Sequence, residues 1–120
     1  MKVLEIGGSI HRFDDDAFMQ VPYEWIVNLS GDDLKKMCLL KWRYGFFVNK
    51  ALSEGNENLD RVFYESQQSL CRLFGMSDKS RPSVTKFLQR MEEKGYITVT
   101  RENYSYDGVI KPRHFIVVNS

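Results

Sequence analysis

Residues 66–101 read SQQSLCRLFGMSDKSRPSVTKFLQRMEEKGYITVTR, and the order of apolar, small and turn-forming residues in this stretch decides the fold. Leu70, Leu73 and Phe74 share one side of a short helix that stops at Gly75, where the missing Cβ permits a left-handed turn. Ser77 and Ser80 offer side-chain oxygens to cap a second helix. Pro82 fits its first turn, whose N–H groups have no helical partner. Val84, Phe87, Leu88 and Met91 recur at the i, i+3, i+4, i+7 spacing, so one stripe of the second helix faces a core. Lys94-Gly95 then places a cation at the negative end of the helix dipole, followed by a residue free to take positive φ.

A strand follows directly. Ile97 to Arg101 alternates β-branched apolar and polar residues, and Arg113 to Val118 is a second run rich in Phe, Ile and Val, so the two are expected to pair antiparallel. Glu102 to Pro112, with Asp107-Gly108 inside it, is the expected hairpin tip, since Asp-Gly favours turns that match strand twist. Arg101, Lys111, Arg113 and His114 are expected at the strand ends facing that tip. Tyr104 and Tyr106 read as hairpin stabilisers through cross-strand contact. The expected class is α+β, a winged helix-turn-helix: a three-helix core with a two- to three-stranded antiparallel β-wing, Asp60 to Tyr64 supplying the small first strand.

Upstream, Ser30 caps and Asp32 and Asp33 acidify the start of a long helix expected to run to about Leu52. Leu34, Met37, Cys38, Trp42, Phe46 and Leu52, with Leu39, Leu40, Phe47 and Val48 beside them, make it apolar over more than one face. Two accounts fit: a central helix packed on the helix-turn-helix and on the N-terminal segment, or a helix that shares its surplus with a second copy in a homodimer. Phe18 to Val21 alternates up to Pro22, and Tyr23 to Ile26 adds a short helical turn. The domain is therefore set at residues 18–120, with 1–17 an N-terminal segment. Asp14-Asp15-Asp16 reads as a charged loop, because consecutive carboxylates diverge and no further acid stands at a ligand spacing.

A chain of 120 residues with 42% hydrophobic side chains supports one core. No apolar run approaches the roughly 20 residues that cross a bilayer, and Met1 to Ile10 lacks a signal-peptide core; a soluble, cytoplasmic protein is expected. Cys38 and Cys71 sit in helical apolar patterns and are expected as reduced thiols. No phosphate loop, nucleophile elbow or Cys/His cluster occurs, which predicts a protein that is no enzyme and needs no cofactor or metal. The net charge is only +1, yet residues 1–60 carry seven Lys/Arg against ten Asp/Glu, and residues 61–120 carry ten against six. The basic excess lies with the helix-turn-helix, which suits weak, salt-sensitive duplex binding that two copies would strengthen.

The face of the second helix opposite its core stripe carries Lys79, Pro82, Ser83, Thr85, Lys86, Gln89 and Arg90, with no acid before Glu93. Such a face either lies in solvent or meets a phosphate-lined groove. The succession Phe18-Met19-Gln20-Val21-Pro22, a long helix, Phe63-Tyr64, the helix-turn-helix and Glu92-Glu93-Lys94-Gly95-Tyr96-Ile97 resembles the N-terminal winged-helix domain of phage and plasmid replication initiators of the replisome-organiser type. The junction from Leu88 to Ile97 is also similar to that of winged-helix repressors and plasmid partition adaptors. Such initiators continue into a further domain, so a fragment or a free-standing small regulator is expected.

The resemblance implies sequence-specific binding of double-stranded DNA by a dimer of a mobile element, in replication initiation, partition or transcriptional control. Pro82, Ser83, Thr85, Lys86 and Gln89 would face base edges, and Arg81, Arg90, Arg101 and Lys111 would hold phosphates, with Arg113 beside them. The alternative is a phage- or plasmid-encoded inhibitor or adaptor that uses a winged-helix frame to bind protein, suggested by the low net charge and the aromatic first half.

Overall fold

Two antiparallel hairpins bracket the helices of this α+β chain. In the computed structural model, which describes residues 1–120, strands β1 (Lys2–Ile6) and β2 (Ser9–Phe13) pair around Gly7-Gly8. Helices α1 (Tyr23–Asn28), α2 (Gly31–Ser53), α3 (Gln67–Leu73) and α4 (Arg81–Glu93) follow. Strands β3 (Ile97–Tyr106) and β4 (Val109–Val118) close the fold as a second two-stranded sheet. No helix is long and apolar enough to cross a membrane.

Helix α2 forms where the sequence places it. The Ser30 hydroxyl accepts from the Asp33 amide at 3.2 Å, and Asp32 and Asp33 stand in the first turn. Met37 and Leu40 are fully buried against the rest of the core. The surplus apolar surface finds cover within the chain: Trp42 takes His11 edge-on at 4.7 Å and Phe13 at 6.2 Å, while Phe47 lies 5.1 Å from Phe63. The N-terminal hairpin thus caps one side of α2, leaving Phe46 and Leu52 about half exposed. Gly7 fits that seat closely, for at φ +62° an added Cβ would stand 3.1 Å from the Leu73 backbone.

Helices α3 and α4 keep the predicted stripe, with Leu70, Leu73, Val84, Phe87 and Met91 buried. Leu88 is only half buried, because it lies at the edge of the stripe nearest the C-terminal hairpin. Gly75 takes φ +71°, the expected stop. The start of α4 differs from expectation. Neither Ser77 nor Ser80 caps through its side chain; Asp78–Ser80 form a 3₁₀ turn in which the Ser80 amide donates to the Ser77 carbonyl at 2.9 Å. That turn satisfies the amide, and Pro82 removes another donor, so little is left to cap.

Asp60 to Tyr64 is not a strand. The Asn58 side chain accepts from the Asp60 amide at 3.3 Å and starts a 3₁₀ turn, Leu59–Arg61, and one backbone bond, Ile116 N–H to the Phe63 carbonyl at 2.9 Å, joins the segment to the sheet. Phe63 is instead spent on the core, where it is fully buried.

The C-terminal hairpin is longer than expected. Asp107 (φ +50°) and Gly108 (φ +76°) form a two-residue turn whose twist matches the strands, so pairing continues to Tyr106↔Val109 and residues 102–106 and 109–112 lie in the ladder. Arg101 and His114 face one another in mid-strand, and none of Arg101, Lys111, Arg113 and His114 sits at a strand end. Tyr104 stacks on Arg113 rather than on a cross-strand ring, and Tyr106 has Lys111 above it. Cys38 and Cys71 are free thiols.

Candidate nucleic-acid interface

At 100° per residue, burial of Val84, Phe87 and Met91 turns Pro82, Lys86, Gln89 and Glu93 directly outward. All four are exposed. Arg81, Thr85 and Glu92 occupy the flank toward β3 and β4, and Ser83 and Arg90 the flank toward α2. Lys79 and Arg81, both exposed, stand where the chain enters the helix. The seven expected residues Lys79, Arg81, Pro82, Ser83, Thr85, Lys86 and Gln89 therefore belong to one end of α4 and its preceding turn.

The two flanks are chemically occupied. Arg90 Nη2 lies 2.9 Å from Asp33 Oδ1, tying α4 to the start of α2. Arg101 donates through both terminal nitrogens to Glu92, at 3.3 and 3.0 Å. The Thr85 hydroxyl lies 2.6 Å from Gln67 Oε1, to which it donates, and 3.2 Å from its own-turn carbonyl at Arg81. Thr85 thus looks along the helix side rather than outward. Because its carbonyl oxygen accepts from Thr85, the Gln67 amide is held with its NH₂ free. Gln67, Thr85, Gln89, Glu92, Arg101 and His114 line a groove of about 140 Å³ between α4 and the hairpin.

Lys111 and Arg113 stand on the other face of the hairpin, since strand side chains alternate and Arg101 pairs with His114. The Arg113 guanidinium sits between Tyr64 and Tyr104, 4.3 and 4.2 Å from their ring centres. With His114 and Gln67 these residues border a second groove of about 320 Å³, contiguous with the first. Of the expected cations, Lys79, Arg81, Lys86, Lys111 and Arg113 have no ion-pair partner, and Arg90 and Arg101 do. The sequence reading missed Gln67 and Tyr64. Ser66 was the available signal: its hydroxyl caps α3 by accepting from the Ser69 amide at 3.1 Å and sets Gln67 in the first turn.

The Arg101 hydrogen bonds hold the Glu92 carboxyl below the usual carboxylate range, and Glu92 in turn raises the guanidinium of Arg101. A carboxylate lowered by folding contributes stability above its unfolded value and loses it as pH falls through the lowered folded value. Glu92→Gln should thus cost less than about 1 kcal/mol at pH 7, the pair being partly exposed, and the cost should vanish in acid; urea melts across pH check this. The same substitution releases Arg101 and removes a negative charge from the groove. Any affinity for polyanions should rise.

No protein-family model, no curated protein and no solved structure matches the chain. No group of three or more His, Cys, Asp and Glu side chains is placed to hold a metal ion.

Proposed function

We propose that the chain is a winged helix-turn-helix that binds double-stranded DNA, with α4 in the major groove and the β3–β4 hairpin as its wing. The observation that carries the reading is the unpaired outward strip of α4: Lys79 and Arg81 at its entry, then Pro82, Lys86 and Gln89, with Asp78 in the turn before it and Glu93 at its far end. Lys86 suits a phosphate or a guanine edge, and Gln89 a bidentate contact to adenine. Arg90 and Arg101, bound to Asp33 and Glu92, would have to exchange a carboxylate for a phosphate and contribute less than the free cations. The sequence resemblance to replication initiators, repressors and partition adaptors makes control of replication, partition or transcription of a mobile element the proposed setting. A net charge of +1 favours two copies on a two-fold site.

Titration of labelled duplexes at several salt concentrations tests the reading. Affinity should fall steeply with salt, and sequences selected from a random pool should be palindromic. Affinity for every duplex no better than about 10⁻⁴ M at low salt would overturn it. One observation favours a protein-binding module instead: Phe18, Tyr23 and Val27 are 86%, 85% and 79% exposed on and just before α1. Under that reading Tyr23→Ser with Val27→Ser abolishes a nuclease-resistant complex, and duplex affinity is absent.

A further inference from the structure

The β3–β4 hairpin ends in bare hydrocarbon. Tyr106, Val109 and Ile110, around the Asp107-Gly108 turn, are 62%, 54% and 72% exposed. Single exposed apolar side chains are ordinary on a protein surface, whereas three around one two-residue turn leave both faces of the hairpin tip apolar. Arg101↔His114 is the pair at which the hairpin passes α4, and from Arg101 to Tyr106 the strand rises about 17 Å. Major and minor grooves alternate along B-DNA every half turn, also about 17 Å. The hairpin has the length to carry its tip one groove beyond α4.

Charge and facing agree with that reach. By strand alternation Ile110 stands on the sheet face that carries Arg101 and His114, the side of α4, and Tyr106, Val109 and Lys111 on the other. Lys111 Nζ lies 5.7 Å from the Tyr106 ring centre and has no acid partner, and Arg113 is next on the same face. An apolar tip backed by two cations fits a minor groove, whose walls are sugar and whose rims are phosphate. Resting on the duplex-binding reading, we infer that Ile110, at the tip on the side of α4, is a wedge that enters the minor groove, parts a base step and bends the duplex. Asp107 is the one group at the tip that opposes phosphate; its φ of +50° suits Asp or Asn, so the turn tolerates removal of the charge.

The experiment uses the full chain and an A·T-rich duplex of about 30 base pairs carrying a dye at each end, so that polarisation reads binding and energy transfer reads bending. The wild type should shorten the end-to-end distance. Ile110→Ser should bind about tenfold more weakly and leave the duplex straight, while Asp107→Asn should bind more tightly with the bend kept. Unchanged thermal melts check that neither exposed substitution disturbs the fold. A straight duplex bound equally by wild type and Ile110→Ser overturns the wedge and leaves duplex binding standing, whereas a wild type that binds no duplex overturns both. Loss of binding to phosphatidylserine vesicles in Ile110→Ser, with duplex binding and bend unchanged, also overturns the wedge by assigning the tip to lipid.

Discussion

Phe87→Ala should lower the unfolding free energy by about 3–5 kcal/mol, a large share of the roughly 5–15 kcal/mol that holds a domain of this size. The ring has no solvent exposure, meets Phe74 edge-on at 5.5 Å, and lies below the Lys36 ammonium at 5.6 Å. Truncation leaves a cavity among α2, α3 and α4, the three helices whose mutual orientation presents Lys86 and Gln89. Collapse of that cavity is opposed from each side by a helix fixed elsewhere, by the Ser30 cap, the Ser66 cap and the Arg90–Asp33 pair. Urea denaturation followed by circular dichroism measures the loss, with Lys86→Ala, an exposed position, expected within about 0.5 kcal/mol of wild type. The reverse order would mean that the core stripe of α4 is misassigned.

Joint reversal of Arg81 and Lys86 to Glu should reduce duplex affinity at least about 100-fold near 0.1 M salt. Both cations are exposed and unpaired, so nothing in the fold needs them, and the melting temperature should hold within a few degrees. The logarithmic salt slope should flatten by about 0.9 for each phosphate contact removed. Lys50→Glu is the control, because Lys50 stands about 25 Å along α2 from Asp33, the residue that meets α4. Equal losses from the control and the double reversal would show that only overall charge matters and would remove α4 from the interface.

Local chemistry made much of the framework legible. Ser30 with its two acids marked the start of α2, the spacing of Val84, Phe87 and Met91 marked the inner side of α4, and Asp107-Gly108 marked the C-terminal turn. Each signal lies within a few residues of the structure it specifies. The N-terminal hairpin escaped notice although Gly7-Gly8 is a two-residue turn signal, because neither flanking strand has a strongly apolar face; the contacts that hold it are with Trp42, far along the chain. The 3₁₀ turn at Leu59–Arg61 replaced an expected strand for a similar reason: the demand of the core for Phe63 outweighed pairing along β4.

The outward face of α4 was legible in the sequence, and its charge was not. Spacing alone places Lys79 to Gln89 on one end of α4. Which arginines remain free depends on acids that composition cannot locate: Asp33, 57 residues from Arg90, and Glu92, nine from Arg101. The polar face expected to offer Arg90 beside Lys79 and Lys86 is a narrower strip, because Arg90 and Arg101 at its flanks are paired with acids. Of the two tyrosines expected to stabilise the hairpin by cross-strand contact, Tyr104 reaches Arg113 and Tyr106 reaches Lys111, cations rather than rings, and Tyr64, from a segment outside both strands, closes on Arg113 from the other side.

The seat of the β1–β2 hairpin on Trp42 has a consequence for how the molecule breathes. None of the residues in either strand is fully buried, all of the hairpin's strand pairing is internal, and its aromatic contacts with the rest of the chain are those of His11 and Phe13 with Trp42. It therefore forms a subglobal opening unit whose amides exchange with solvent hydrogen at a small fraction of the free energy that protects β3, β4 and the inner turns of α4. The two tryptophans divide this behaviour between them. Trp25, 1% exposed, should report only complete unfolding, while the emission of Trp42 should change when the hairpin lifts, which urea titrations of Trp42→Phe and Trp25→Phe would separate. The chain carries a built-in optical pair that separates fraying at one end from loss of the fold.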